Sequence, residues 1–390
     1  MLEPLEGSQA IAHAVALARP GVVAAYPITP QTHIVEHIAK LVADAKLRCE
    51  YVSVESEFSA ATVALGAAAA GCRAYTATAS QGLLLMAEVL FNIAGLRIPM
   101  VLTCANRALS APINIWNDHQ DAMAVRDAGW VQIYCASNQE AIDTTIQAFL
   151  LAERLELPVM VCVDGYILTH TLEGVMLPSQ EEVDRFLPPY AFARTLDSQR
   201  PLTMGTMVAP DHFTEIRHAH DQAMHQALEA IEAVDAAYAA ITGRASGGLL
   251  EVDGPDDASI GVLCLGAAHG TLWEAREQTR NLPPAKLIKL RAFRPFPAAA
   301  LRQALTGLTD VVVLERAFSP GAGGIVAAEL CRAFHGMAQA PRIHSAVMGL
   351  GGRDIPLEAW QQLLDLAQAP QREGTVILDL IPEHLEEGVA

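Results

Sequence analysis

A hydroxyl, a carboxyl and a guanidinium stand out in the first third of this 390-residue sequence, each just after an apolar run. Thr29 sits in VVAAYPITPQT (22–32), where a strand runs into a turn pinned by Pro27 and Pro30. Proline fixes φ and removes a backbone donor, so this Pro-x-x-Pro frame is a rigid turn and not a continued strand. A polar side chain at the carboxyl end of a strand lies where α/β folds bind ligands, although a plain helix-capping turn gives the same pattern. Glu57 lies in SVESEFSA (53–60), where a strand gives way to a small-residue helix. Its carboxyl either complements the helix dipole or, partly buried beside Phe58 and a run of alanines, exchanges a proton with a bound base. Arg107 directly follows a strand and suits either bidentate capture of a carboxylate or a surface ion pair. It opens a long non-periodic loop, 106–121, of a kind that is often functional in a compact domain. Asp118, His119 and Asp121 in that loop could ligate a cation, but adjacent residues rarely converge on one ion, and hydrogen bonding within the loop fits them better. Together the three loops offer what a small carboxylate substrate and a proton-relaying cofactor require.

Such side chains need a scaffold, and the hydrophobic pattern supplies one. Apolar strands at about 22–26, 49–54, 73–77, 99–105, 130–135 and 157–163 alternate with segments of helical period such as 32–46, 58–70 and 139–154. That alternation predicts a doubly wound, mostly parallel sheet covered on both faces. Ser80 in TASQG (78–82) reads as the cap of a helix over 83–96, and Gly82 permits close approach of a ligand or neighbouring chain. Ser137 followed by Glu140 reads as a capping box. Residues 167–245 form a helical extension, and the Gly- and Asp-rich stretch that follows predicts a linker at 246–258. A second α/β domain is expected over 259–390, with strands at about 260–265, 286–290, 311–315 and 342–348. Its Gly266 to Gly270 turn could seat a phosphate at a helix end, but it is not a dinucleotide fingerprint, which argues against a nucleotide-binding flavoprotein.

Bulk properties exclude several classes. No apolar run reaches the roughly 18 residues a membrane crossing needs. The start MLEPLEGSQA lacks a basic region and an apolar core, so no signal peptide is expected and the cytoplasm is the predicted location. A formal net charge of −18 disfavours nucleic acid. The seven cysteines contain no C-x-x-C pair, so iron–sulfur clusters and structural zinc of the usual kind are not expected on this chain. Histidines 212, 218, 220 and 225 fall on a helical run, where a solvated face explains them more simply than a metal site does.

The motifs YPITP (26–30), VESEFSA (54–60), TASQGL (78–83), NRALSAPINIWNDHQD (106–121), and RPFP with VLERAFSPGAGG (294–297, 313–324) resemble, in order, the α subunit of pyruvate:ferredoxin oxidoreductase. This is the multisubunit form, also called pyruvate synthase, of the 2-oxoacid:acceptor oxidoreductases. The resemblance implies a thiamine diphosphate enzyme, with a pyrimidine-binding domain followed by a transketolase C-terminal-like domain. It places Glu57 on the glutamate that hydrogen-bonds the aminopyrimidine ring, and Thr29 and Arg107 on the pair that contacts pyruvate. Roles for 114–121 are not carried over. The implied reaction is the reversible, coenzyme A-dependent oxidative decarboxylation of pyruvate to acetyl-CoA and carbon dioxide, with electrons passing through [4Fe-4S] clusters to ferredoxin. No Gly-Asp-Gly occurs here, so the diphosphate and its Mg²⁺ are expected on a β subunit, and the clusters on ferredoxin-like γ and δ subunits. The competing readings are a 2-oxoglutarate or other 2-oxoacid oxidoreductase subunit and a non-catalytic assembly subunit; retention of Thr29, Glu57 and Arg107 argues against the latter.

Overall fold

The computed structural model describes residues 2–279, 282–370 and 374–386. Among these, two open sheets organise the chain. The first has seven strands in the order Ala292–Arg294, Val131–Cys135, Val159–Asp164, Val101–Asn106, Ala74–Thr78, Val22–Ala25, Glu50–Ser53. Its first-domain strands pair in parallel, while Ala292–Arg294 joins antiparallel to Val131–Cys135. The central strands are buried along their whole length, as near-continuous Val, Ala, Leu and Cys runs require when helices cover both faces. The alanine-rich helix Glu57–Ala69 can lie close to the sheet because Ala60, Ala61, Ala64 and Ala68 present only methyl groups to it.

The chain leaves strand Val22–Ala25 toward Glu50–Ser53, then returns across it to Ala74–Thr78. The crossover reverses direction between Val22–Ala25 and Ala74–Thr78, and the carboxyl ends of strands at such a point form a crevice. The Thr29 loop and the short helix Ser80–Leu85, which carries Gly82, flank that crevice.

The second sheet runs Thr375–Ile377, Arg342–Val347, Asp310–Glu315, Ile260–Cys264, Ala285–Leu290, Leu250–Asp253, all parallel except the last. Its last strand lies inside the stretch expected as a linker at 246–258. Alternating Leu250 and Val252 pair there with Leu290 and Ile288, so a segment that composition marks as a turn is recruited as an antiparallel edge. With Ala292–Arg294 lent to the first sheet, the chain crosses between its two halves several times. A two-stranded ribbon, Glu3–Glu6 with Leu172–Val175, closes one side.

Several local expectations meet a different outcome. Helix Ser80–Leu85 begins on Ser80 itself, with Ala79 at the cap position, so Ser80 does not cap it. The expected helix over 83–96 divides at Met86 into Ser80–Leu85 and Ala87–Gly95. Ser137 does cap helix Asn138–Leu155, its Oγ accepting from Glu140 N at 3.1 Å, but Glu140 accepts from Ala136 N, one residue earlier than a capping box requires. The helical extension ends in one long helix, Pro210–Thr242, on which His212, His218 and His225 are exposed while His220 is buried against the Gly129 carbonyl.

Candidate functional site

The Thr29 turn is held from within. Gln31, fully buried, donates from Nε2 to the Ala77 carbonyl at 2.8 Å and accepts the Ile28 N–H through Oε1 at 3.2 Å. One side chain thus bridges the ends of the two strands at the crevice and leaves Thr29 exposed above it. Gly165 completes the seat: a Cβ there would lie 2.4 Å from the Asn106 carbonyl and 2.7 Å from Pro30 Cγ.

The two carboxylates of VESEFSA separate cleanly. Glu55 is exposed and accepts from Ser59 Oγ at 2.6 Å. Glu57, in the first turn of its helix, is 6% exposed, and its carboxylate makes no hydrogen bond among the described residues. It lies over Gly82, where an added Cβ would sit 2.5 Å from Glu57 Oε1 and 2.5 Å from Thr78 Oγ1. The Thr78 hydroxyl is buried and also lacks a partner. The buried Thr78 hydroxyl left unmatched costs free energy unless a ligand satisfies it, and the Glu57 carboxylate beside it, on a residue only 6% exposed, is likewise without a protein partner among the described residues. Gly82 makes room for these two side chains themselves, and together they suit a ligand ring that carries hydrogen-bonding nitrogens.

Arg107 is 7% exposed, so the surface ion pair is not what the structure shows. Its Nη1 donates to the Thr29 carbonyl at 2.9 Å and its Nε to the Asn114 carbonyl at 3.1 Å, while Nη2 makes no hydrogen bond among the described residues. Burial pulls its pKa below the ordinary guanidinium value, with Tyr166 and Asp121 opposing. The structure therefore brings Arg107 and Thr29 together directly.

What joins Glu57's floor to Arg107 is Asp121, whose role the sequence does not disclose. This fully buried carboxylate accepts from Ser80 N at 2.8 Å, Arg107 N at 3.0 Å and Asn106 Nδ2 at 2.8 Å. Burial raises its pKa, and those donors work in the opposite direction. Ser80, at φ 50°, also donates its hydroxyl to the Ala108 carbonyl, so the strained turn below Glu57 is tied to the Arg107 loop twice. Neither a cation site nor bonding confined to the loop describes this arrangement.

His119 and Asp118 reach outward instead. His119 pairs with Asp164 at 2.7 Å, at the end of the neighbouring strand. Asp164 in turn accepts the Ala267 N–H at 3.1 Å, and a Cβ on Gly266 would sit 2.5 Å from its Oδ1. The Gly266 turn is thus occupied by a carboxylate of the first sheet, and not free for a phosphate. Burial opposes ionisation of Asp164, but His119 and then Arg316 hold its carboxyl below the usual range. Asp118 accepts from Gln120 N at 2.8 Å and from Gly351 N at 3.1 Å, and burial pushes its pKa up to about 6. Asn114 Nδ2 donates to the Gly351 carbonyl at 3.0 Å, so the second domain clamps the 106–121 loop. In VLERAFSPGAGG, Glu315 accepts the first three N–H groups of helix Ile325–Phe334, and Arg316 Nε and Nη1 are buried without a hydrogen-bond partner among the described residues.

With this geometry in place, comparison with known proteins is informative. Residues 13–236 match the family model for pyruvate flavodoxin/ferredoxin oxidoreductase, thiamine diP-binding, and residues 258–359 match pyruvate:ferredoxin oxidoreductase core domain II. Pyruvate synthase subunit PorA of Methanosarcina barkeri is 44% identical over 96% of this chain and 94% of its own length. Ketoisovalerate oxidoreductase subunit VorA of Pyrococcus abyssi is 39% identical over 90% of this chain and 89% of its own. Among solved structures, 2-oxoglutarate:ferredoxin oxidoreductase from Magnetococcus marinus, with 2-oxoglutarate, coenzyme A and succinyl-CoA bound, shares the fold at TM-score 0.73 and 18% identity, over 93% of this chain and 65% of that one. The chain belongs to the pyruvate flavodoxin/ferredoxin oxidoreductase family of thiamine diphosphate-binding proteins.

Proposed function

We propose that this chain is the α subunit of a pyruvate synthase and supplies the pyrimidine and substrate half of a thiamine diphosphate site. One observation carries the reading: a largely buried Glu57, its carboxyl without a protein partner among the described residues, seated against Gly82 at the switch point of the sheet, with Thr29 and Arg107 on the facing loops. Bound thiamine diphosphate would supply the nucleophilic carbon and the electron sink for decarboxylating a 2-oxoacid. Glu57 holds a proton toward the pyrimidine ring nitrogen. Arg107, through the free Nη2, and the Thr29 hydroxyl hold the substrate carboxylate, and the buried Asp121 fixes the distance between the two sets.

The diphosphate, its Mg²⁺ and the iron–sulfur clusters are assigned to β, γ and δ partner subunits, with ferredoxin as acceptor and coenzyme A as acyl acceptor. Two features support a partner over this edge. The sequence lacks a Gly-Asp-Gly start for a diphosphate site, and Phe58, Leu84, Leu85 and Phe91 are exposed on the helices that surround Glu57. No helix among the described residues is long and apolar enough to cross a membrane. All seven cysteines are unpaired, as suits a reducing cytoplasm.

The VorA likeness keeps branched 2-oxoacids as the second reading, since a few side chains can reset a pocket. The assembled enzyme should reduce viologen fastest with pyruvate in a panel that includes 2-oxoisovalerate and 2-oxoglutarate, with coenzyme A required. A clear preference for either other acid overturns the pyruvate assignment.

A further inference from the structure

Beside the crevice, three segments that are distant in sequence bring two imidazoles and a carboxylate to one point. Glu6 ends the first strand, His33 lies in the first turn of the helix that follows the Thr29 loop, and His170 lies in the turn after Val159–Asp164. One potential ligand atom from each lies within 4.8 Å of the other two. His33 Nδ1 is 2.7 Å from Glu6 Oε1, and the His33 and His170 rings stack at 4.6 Å between centroids.

We propose that Glu6, His33 and His170 form a binding site for a divalent ion of the zinc type. Two nitrogens and one carboxylate oxygen, with a fourth position left for water, is a ligand set zinc accepts. In a tetrahedral site with bonds of about 2 Å the ligand atoms lie about 3.3 Å apart, so the widest pair here has to draw in by up to about 1.5 Å. The surroundings also orient a ligand. His170 Nδ1 lies 2.7 Å from Thr169 Oγ1, and that hydroxyl is itself fixed by the Tyr166 N–H at 2.8 Å. With Nδ1–H donated to Thr169, the opposite ring nitrogen of His170 presents its lone pair, the arrangement in which metal-bound histidines are usually held. The site is accessible, with the His33 side chain 44% exposed and Glu6 21%. His37, one turn on from His33 on the same helix face and 6.4 Å away between ring centroids, offers a further imidazole. An ion here ties the helix that follows the substrate turn to the segment 166–170, whose Tyr166 ring packs against both His170 and Trp116 of the Arg107 loop.

The bland alternative is an ion pair, His33 with Glu6, beside a stacked imidazole. The two are separable by titrating Zn²⁺ into the metal-free full chain against a chromophoric chelator, with circular dichroism to verify folding. The expected result is one equivalent of tightly bound zinc, on the order of 10²-fold weaker in His33→Gln and in His170→Gln. Thr169→Val, which keeps all three ligands, is expected to weaken binding by roughly 10-fold. No stoichiometric zinc binding by the folded wild-type chain overturns the proposal. So does binding that survives both histidine substitutions, as would occur through the exposed helix histidines 212, 218 and 225.

Discussion

Arg107 shows how a side chain can be committed and available at once. Two of its nitrogens are anchored to the Thr29 and Asn114 carbonyls, which fixes the plane of the guanidinium, and the third nitrogen has no protein partner among the described residues, as the proposed contact with a substrate carboxylate requires. Replacing it with alanine removes a charge-assisted hydrogen bond to the substrate carboxylate, worth on the order of 10- to 100-fold in binding. The expected signature for Arg107→Ala in the assembled enzyme is a KM for pyruvate that rises by that factor while the KM for coenzyme A stays nearly constant. Equal rises in both constants would mean that Arg107 acts only by supporting the loop. Arg107 was conspicuous in the sequence as a polar side chain directly after an apolar strand, a position equally open to a surface ion pair, and only the family resemblance gave it a role. Asp121 was not, because nothing local distinguishes a fully buried aspartate with donors from the start of its own loop and from the distant Ser80 turn from a solvated one near a helix start.

At the scale of elements, the Gly82 turn and the Glu57 helix are a matched pair. The helix approaches the sheet because its inner face is alanine, and the turn approaches the helix because Gly82 has no Cβ. Gly82→Ala would place a carbon 2.5 Å from Glu57 Oε1, and the carboxyl must shift. A displacement of about 1 Å in a positioned catalytic group costs roughly 10²-fold in rate, so kcat should fall by about that factor with the melting temperature little changed. A kcat within twofold of wild type would show that Glu57 does not depend on this floor. The alternating strand and helix periods made both parallel sheets readable, down to most strand positions. They failed where tertiary pairing decides: Leu250–Asp253 looks like linker because Gly and Asp flank it, and the three-residue strand Ala292–Arg294, too short to show a period, crosses to the other sheet. The start of helix Ser80–Leu85 was misread for a similar reason, since Ser80 is spent on Asp121 and Ala108 and not on a cap.

Across the whole molecule, the 106–121 loop is a clasp between the first sheet and the Gly351 segment of the second domain, and its protonation state is coupled to folding. Burial raises the Asp118 carboxyl from 3.8 to about 6 while it accepts the Gly351 N–H of the second domain. The folded chain therefore holds this proton more tightly than the unfolded chain. Stability from the group is fully present below about pH 4 and is lost as pH rises through about 6, by up to roughly 3 kcal/mol. Asp118→Asn cannot ionise, so its stability relative to wild type should improve steadily between pH 4 and 6.5 in denaturant titrations; a difference that is constant with pH would refute the coupling. The same scale holds the central claim, that one chain presents the pyrimidine half of a site whose diphosphate and redox halves lie on partners. The direct measurement is pyruvate-dependent, coenzyme A-requiring viologen reduction by the chain alone and by the complex reconstituted with wild-type or Glu57→Gln chain. The account predicts no turnover by the chain alone, turnover in the wild-type complex, and a loss on the order of 10²-fold or more with Glu57→Gln. Turnover by the isolated chain, or near wild-type activity of the Glu57→Gln complex, would contradict it.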